Sequence, residues 1–206
     1  MVERRNFLFI NMILLIAVAL GLASGFLRAK LSGKSYQSVE VRYVWLVFAA
    51  YLPQFFAFYL PATRSTFPDS WVPVVLIGSQ ILLLLFAWLN RRIPGFWLLG
   101  LGLLANFLVI SLNGGMMPLM PENATRLLPA DSPVLLQLGE RVGFGKDILL
   151  EKADIRLWFL SDVFMLPELF RYPLAFSIGD ILISMGAFWL LWRLGSPRQI
   201  IQEVSP

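Results

Sequence analysis

The chain has 206 residues, 58% of them hydrophobic and 15% charged, with 17 Lys and Arg against 13 Asp and Glu, a net charge of +4. Soluble domains average about 45–50% apolar and about 25% charged residues, so this composition excludes an ordinary water-soluble globule. His and Cys are both absent, which excludes disulfides, zinc fingers, Fe–S clusters and nucleophile–base pairs built on either residue.

In chain order, uncharged runs occupy 6–27, 43–63, 70–90 and 93–121, and a fifth run at 172–192 carries only Asp180. A membrane-spanning helix needs about 20 apolar residues. The pattern predicts an all-α, polytopic membrane helical bundle forming one domain over 1–206. Its five transmembrane helices fall near 6–27, 43–62, 71–89, 95–113 and 174–193. Four or six spans are the alternatives, because 157–170 is apolar enough to enter the interface. Trp45, Trp71, Trp88, Trp97, Trp189 and Trp192 stand near the predicted span ends, where an aromatic belt places them. Pro53 falls inside the second span and predicts a kink. Gly21 and Gly25 form a GxxxG pair suited to close helix contact.

Cations set the orientation. Arg28, Lys30, Lys34, Arg42, Arg91, Arg92, Arg193 and Arg198 fall on one side of a five-span chain, and Arg4, Arg5 and Arg64 on the other. Short loops weigh most in the positive-inside bias. The expectation is a cell-membrane protein with its N-terminus outside and its C-terminus cytoplasmic. The expected partners are the lipid bilayer and other membrane subunits. Nucleic acid is not expected, since the cations flank helices and do not cluster with aromatic platforms.

The segment 114–171 concentrates charge and proline. Its run 134–160 predicts one or two amphipathic helices lying on the membrane surface, interrupted at Gly139, Gly143 and Gly145. Gly143-Phe144-Gly145-Lys146 lacks the Ser or Thr and the preceding strand of a phosphate loop. No metal ligand set emerges, and the cofactor, if any, is unknown from sequence.

Three polar clusters flank the predicted spans. Asn106 and Asn113 are seven residues apart, on one helical face, and Gly114-Gly115 ends that helix before Met117-Pro118. Arg156 precedes Ser161-Asp162, spaced for a surface Arg–Asp pair. Ser177, Gly179, Asp180 and Ser184 begin the last span. Asp180 is the one acid inside a predicted span, and an intramembrane acid is a functional-site hypothesis by default. Ser177-x-x-Asp180 also fits a capping box. The expected polar cluster is Asn106, Asn113, Gly114, Gly115, Arg156, Asp162, Ser177, Gly179 and Asp180. Asp162 and Asp180 are the candidate catalytic pair. Asp180 should draw its remaining donors from the Asn113-Gly114-Gly115 turn or from Arg156.

These motifs resemble an uncharacterised bacterial membrane family, domain of unknown function 5317. The resemblance rests on Ala105-Asn106, Asn113-Gly114-Gly115, Met117-Pro118, Arg156, Leu160-Ser161-Asp162, Pro167 and Ser177-Ile178-Gly179-Asp180. It implies a membrane protein and no known activity. A more distant likeness is to lipoprotein signal peptidase, whose last helix opens in a way similar to Phe176-Ser177-Ile178-Gly179-Asp180. Its Asn-x-x-Asp-Arg motif is absent here, which leaves Asp154 or Asp162 as the only stand-in for its first acid.

Three functions compete. A non-catalytic subunit, assembly factor or anchor of a membrane complex follows from few intramembrane polar groups. A membrane-embedded aspartyl hydrolase or protease would use Asp162 and Asp180 as a proton-sharing pair. A small transporter would need repeats or midplane acids, and no internal repeat is present. Whether the chain is an enzyme is left open by its sequence.

Overall fold

The computed structural model describes residues 12–33, 35–36, 38–127, 136–166 and 173–195. The fold is mostly helical. Helices α1 (Met12–Leu31), α2 (Trp45–Gln54), α3 (Pro61–Arg64), α4 (Val72–Leu89), α5 (Phe96–Leu112), α6 (Pro121–Leu127) and α7 (Ile178–Leu194) alternate with short strands β1 (Met117–Leu119), β2 (Asp147–Leu149), β3 (Phe164–Met165) and β4 (Ala175–Phe176).

Apolar helices stand at all five expected places. Two of them are long and apolar enough to cross a membrane by themselves, Met12–Leu31 and Asp69–Leu89, while Trp45–Tyr59 and Phe96–Leu112 are shorter. α7 has 17 residues, about 25 Å at 1.5 Å per residue. The five-span expectation is therefore met in part. The shortening has local causes. Pro53 supplies no N–H, and the helix slips into a π-turn over Phe55–Tyr59 that closes with Leu60 N–H on Phe55 O at 2.9 Å. α5 starts only after Gly95, at φ +94°, and ends at the Asn113-Gly114-Gly115 turn, where Gly114 and Gly115 have φ +76° and +83°. Positions 6–11 of the expected first span, and Arg4, Arg5, Lys34, Arg171 and Arg198, lie outside the described residues.

The long helices form a row. α1 packs on α7, α7 on α5, α5 on α4, and α4 on α2. Glycine permits the two closest seams. A Cβ at Gly25 would meet Leu191 O at 2.6 Å, and one at Gly21 would meet Phe188 O at 3.0 Å, so the GxxxG pair does pack, against α7. α5 and α7 run antiparallel with Gly95 facing Gly186 and Gly102 facing Gly179. Chain direction gathers Arg28, Arg91, Arg92 and Arg193 at one end, where Arg28 stacks on Trp192 and the three other arginines line one cleft. Asn113 and Asp180 occupy the other end. Asn90 ties the cationic end together: its amide exchanges hydrogen bonds with the Arg42 backbone, accepting at 2.8 Å and donating at 2.9 Å.

The segment between α5 and α7 is a folded cap, which corrects the expected surface helices over 134–160. β1 and β2 pair in parallel, Pro118 opposite Ile148, and β3 and β4 pair antiparallel. Turns stand where the amphipathic helices were expected, with Gly139 and Gly143 at φ +82° and +56°. Arg141 fixes this turn. Its guanidinium, buried except for a few per cent, donates to Gly145 O, Phe144 O and the Asp69 carboxylate, and lies over the Phe58 ring. The apolar side chains of 136–160 divide between the cap interior, where Leu149 is buried among Leu119 and Ala124, and the surface, where Leu138, Phe144, Trp158 and Phe159 are exposed.

The seams predict contrasting glycine substitutions. Gly186→Val would drive a Cβ to 2.6 Å from Leu99 N and should lower stability by about 1–3 kcal/mol or more through overpacking. Gly78→Ala, with no atom within 4 Å of its new Cβ, should raise stability by up to about 1 kcal/mol through helix propensity. Thermal melts of the two purified variants check the opposite signs.

Candidate functional site

α7 begins where the sequence places its cap. Ser177 accepts from Asp180 N–H at 3.1 Å, and the Asp180 carboxylate accepts from Ser177 N–H at 2.9 Å, closing a capping box. Ser177 Oγ also lies 3.0 Å from Asp180 Oδ2 and 2.9 Å from Asn106 Oδ1. Asn106 Nδ2 then donates to the other Asp180 oxygen at 3.1 Å. Asn106 reaches this position because Gly179 carries no side chain; a Cβ there would collide with the Asn106 amide. The remaining donor to Asp180 is thus Asn106, one helix turn pair below the Asn113-Gly114-Gly115 turn, and not that turn or Arg156. Asn106 is buried on the α7 side of α5, whereas Asn113 has passed beyond the start of α7.

Asn113 performs a different task. Its amide accepts from Arg156 N–H at 2.9 Å and donates to Arg156 O at 2.9 Å and Val109 O at 2.7 Å. It therefore clamps the cap backbone onto the end of α5. Arg156 contributes its main chain here, and its side chain is exposed. Gly115 packs against Pro73 at the start of α4, seating the same turn on the next helix.

Asp162 is 3% exposed. The expected Arg156–Asp162 pair does not form; Asp162 is paired with Lys146, Nζ to Oδ2 at 2.7 Å. Lys146 also lies 3.5 Å from Asp147. Asn123 donates to Asp162 O at 3.0 Å and holds its backbone. Asp162 Oδ1 is buried without a hydrogen-bond partner among the described residues. Burial raises the Asp162 carboxyl; the Lys146 ammonium lowers it, but the Asp180 and Asp147 carboxylates add to the rise, and it is pushed up to about 7. Burial alone would lower Lys146, yet Asp162, Asp147 and Asp180 outweigh it and hold its pKa above the ordinary lysine value.

The result is one ammonium among three carboxylates at the capped end of the bundle, next to a second group formed by Asn106, Ser177 and Asp180. Among the described residues no group of three or more Asp or Glu is arranged to hold a metal ion. Sequence reasoning missed Lys146, Arg141, Asn123 and Asn90. Lys146 carried a signal only as the end of Gly143-Phe144-Gly145-Lys146, and the asparagines carried none, because their partners lie 39 or more residues away.

The signs of the two shifts fix a pH test. Asp162 titrates higher folded than unfolded, so its contribution to stability is greatest at low pH and falls as pH rises from about 4 to about 7. Lys146, raised, contributes throughout that window and loses its contribution only in strong alkali. Lys146→Met should therefore cost about 3–5 kcal/mol at pH 8, the penalty of an uncompensated buried charge, and markedly less at pH 5, where Asp162 is neutral. Melts at the two pH values check this; equal losses would contradict it.

A family model described as "Family of unknown function (DUF5317)" matches residues 38–192. A relative in Thermotoga maritima, described as an uncharacterized protein, is 29% identical over 133 residues, covering 65% of this chain and 70% of its own length. No solved structure matches the chain. The likeness to lipoprotein signal peptidase finds no support in these comparisons.

Proposed function

The chain belongs to the DUF5317 family of unknown function, and from that premise we propose that it is a multi-pass integral membrane protein of the cell membrane with a structural, non-catalytic role as subunit, assembly factor or anchor. The observation that carries the membrane reading is the row of helices. Each long helix packs principally on its neighbours in the row, which leaves Leu20, Phe48, Val74, Ile81, Leu101 and Met185 exposed on helix flanks. Exposed apolar surface on this scale needs a lipid or protein cover. Trp45, Trp71, Trp88 and Trp97 are exposed at helix ends, as an interfacial belt requires. The helices of 15 to 17 residues are matched to the bilayer by local thinning. Cations gathered at one end favour a cytoplasmic placement of that end.

The non-catalytic role rests on how the acids are used. Both Asp180 oxygens are taken by Ser177 and Asn106, and Asp162 is bound to Lys146. A two-carboxylate hydrolase needs its acids to share a proton or a water; here Asp180 is held by Ser177 and Asn106, and Asp162 by Lys146 through Oδ2. A transporter needs charged groups near the midplane, whereas these acids sit at the start of α7 and in the cap. The arrangement supports a lock between cap and bundle.

Alkaline carbonate washing of membranes tests the first part: the chain should stay in the pellet, and release into the wash would overturn the membrane reading. Asp180→Asn tests the second. It places an amide N–H₂ against existing donors and should lower stability by about 1–3 kcal/mol. At equal abundance the variant should still complement a deletion strain. Complete loss of complementation at normal abundance would favour the hydrolase.

A further inference from the structure

At the cationic end of the bundle an open cleft of about 490 Å³ lies between the α4–α5 turn and the last turns of α7. This is within the 300–1,000 Å³ range of small-molecule sites. Arg91, Arg92 and Arg193 line it, together with Trp97 and Trp189, and among the described residues no acid contributes to its wall. Trp97 is 60% and Trp189 41% exposed. Arg91 is fixed: Nη1 donates to Trp88 O at 2.9 Å and the guanidinium stacks on the Trp88 ring at 4.3 Å. No carboxylate pairs with any of the three arginines among the described residues. Arg92 and Arg193 are exposed beside the fixed Arg91, so three like charges line one concavity, and an anion relieves their repulsion. Guanidinium forks match phosphate oxygens, and indoles on the same rim sit at the depth where headgroups meet acyl chains.

We propose that this cleft binds the phosphodiester headgroup of an anionic membrane phospholipid, with the Arg92 and Arg193 side chains on the phosphate and Trp97 and Trp189 flanking the glycerol and upper acyl region. The proposal rests on the membrane reading above. A phosphodiester attached to lipid is favoured over a free phosphate because the cleft opens beside outward-facing indoles and Pro94, giving an amphiphile an apolar exit along the helices. Basic pockets between membrane helices are sites of this type.

The full chain, purified in a neutral detergent, is titrated with phosphatidylglycerol or phosphatidylcholine, and bound lipid is read by native mass spectrometry. The wild type should prefer phosphatidylglycerol at least tenfold. Arg92→Gln with Arg193→Gln should abolish that preference. Arg28→Gln with Lys30→Gln removes the same charge from the same end without touching the cleft and should leave the preference intact. Equal loss in both double variants would reduce the effect to net charge and overturn the site, as would an unchanged preference in the Arg92/Arg193 variant. Displacement of the lipid by millimolar glycerol phosphate would assign the cleft to a soluble phosphate and overturn the lipid assignment. Carbonate washing separates the two levels. A chain that stays in the pellet yet shows no headgroup preference defeats this inference alone, whereas release from the membrane defeats the reading beneath it.

Discussion

Five apolar helices set in a row cannot bury one another. A helix inside a compact bundle has neighbours around most of its circumference; α1 has α7 as its principal partner, and α5 has α7 and α4. Each helix is therefore sealed along one or two seams and bare elsewhere. In water, bare flanks of Leu, Phe and Trp would cost about 25 cal/mol per Å² and drive aggregation. In hydrocarbon they cost nothing, and the seams then depend on close approach and on hydrogen bonding, not on hydrophobic exclusion. Glycine, not leucine, stands at the tightest contacts of the row, at Gly25, Gly102, Gly179 and Gly186. Polar side chains bridge the elements as well: Asn90 to the Arg42 backbone, Gln54 to Ser79, Asn106 to Asp180, Asn113 to the Arg156 backbone.

The cap solves a second difficulty. The ends of α5 and α7 expose backbone groups that need partners. At α7 the capping box satisfies the first turn, and Asn106 extends it across to α5. At α5, Gly115 N–H closes on Ile110 O at 2.8 Å. The cap strands then bring Lys146 to Asp162, and the ammonium offsets carboxylates that would otherwise repel. Buried ion pairs of this kind rarely add stability over apolar packing, but removing one partner is costly. The network accordingly specifies where the cap sits more than it strengthens the fold.

Much of the helical frame was legible in the sequence, because uncharged intervals report helix positions directly: all five expected intervals contain one. The capping box at Ser177 and Asp180 was legible for the same reason, since its partners are three residues apart. The cap was not. Residues 134–160 read as amphipathic helix because their Leu, Ile and charges alternate irregularly, but the glycines at 139 and 143 and the pairing of β2 with β1 decide the local structure, and a partner strand 28 or more residues away leaves no local trace. Lys146 illustrates the same limit. Its chemistry comes from Asp162, sixteen residues on, and from Asp180, on another helix.

The two ends of the row differ in what their charges face, and the difference has a physical origin. At the capped end, positive and negative groups meet one another: the part-buried Lys146 against the buried Asp162, and the buried Arg141 against the exposed Asp69. Those charges are paired within the protein. At the other end the arginines meet no acid within the cleft they line, and one of them is held by a neighbouring indole and carbonyl. A charge without an internal partner takes its counter-charge from outside, and in a membrane the nearest permanent anions are lipid phosphates. The fold thus pairs its charges internally where the cap closes over it and leaves them open to an outside counter-charge at the other end.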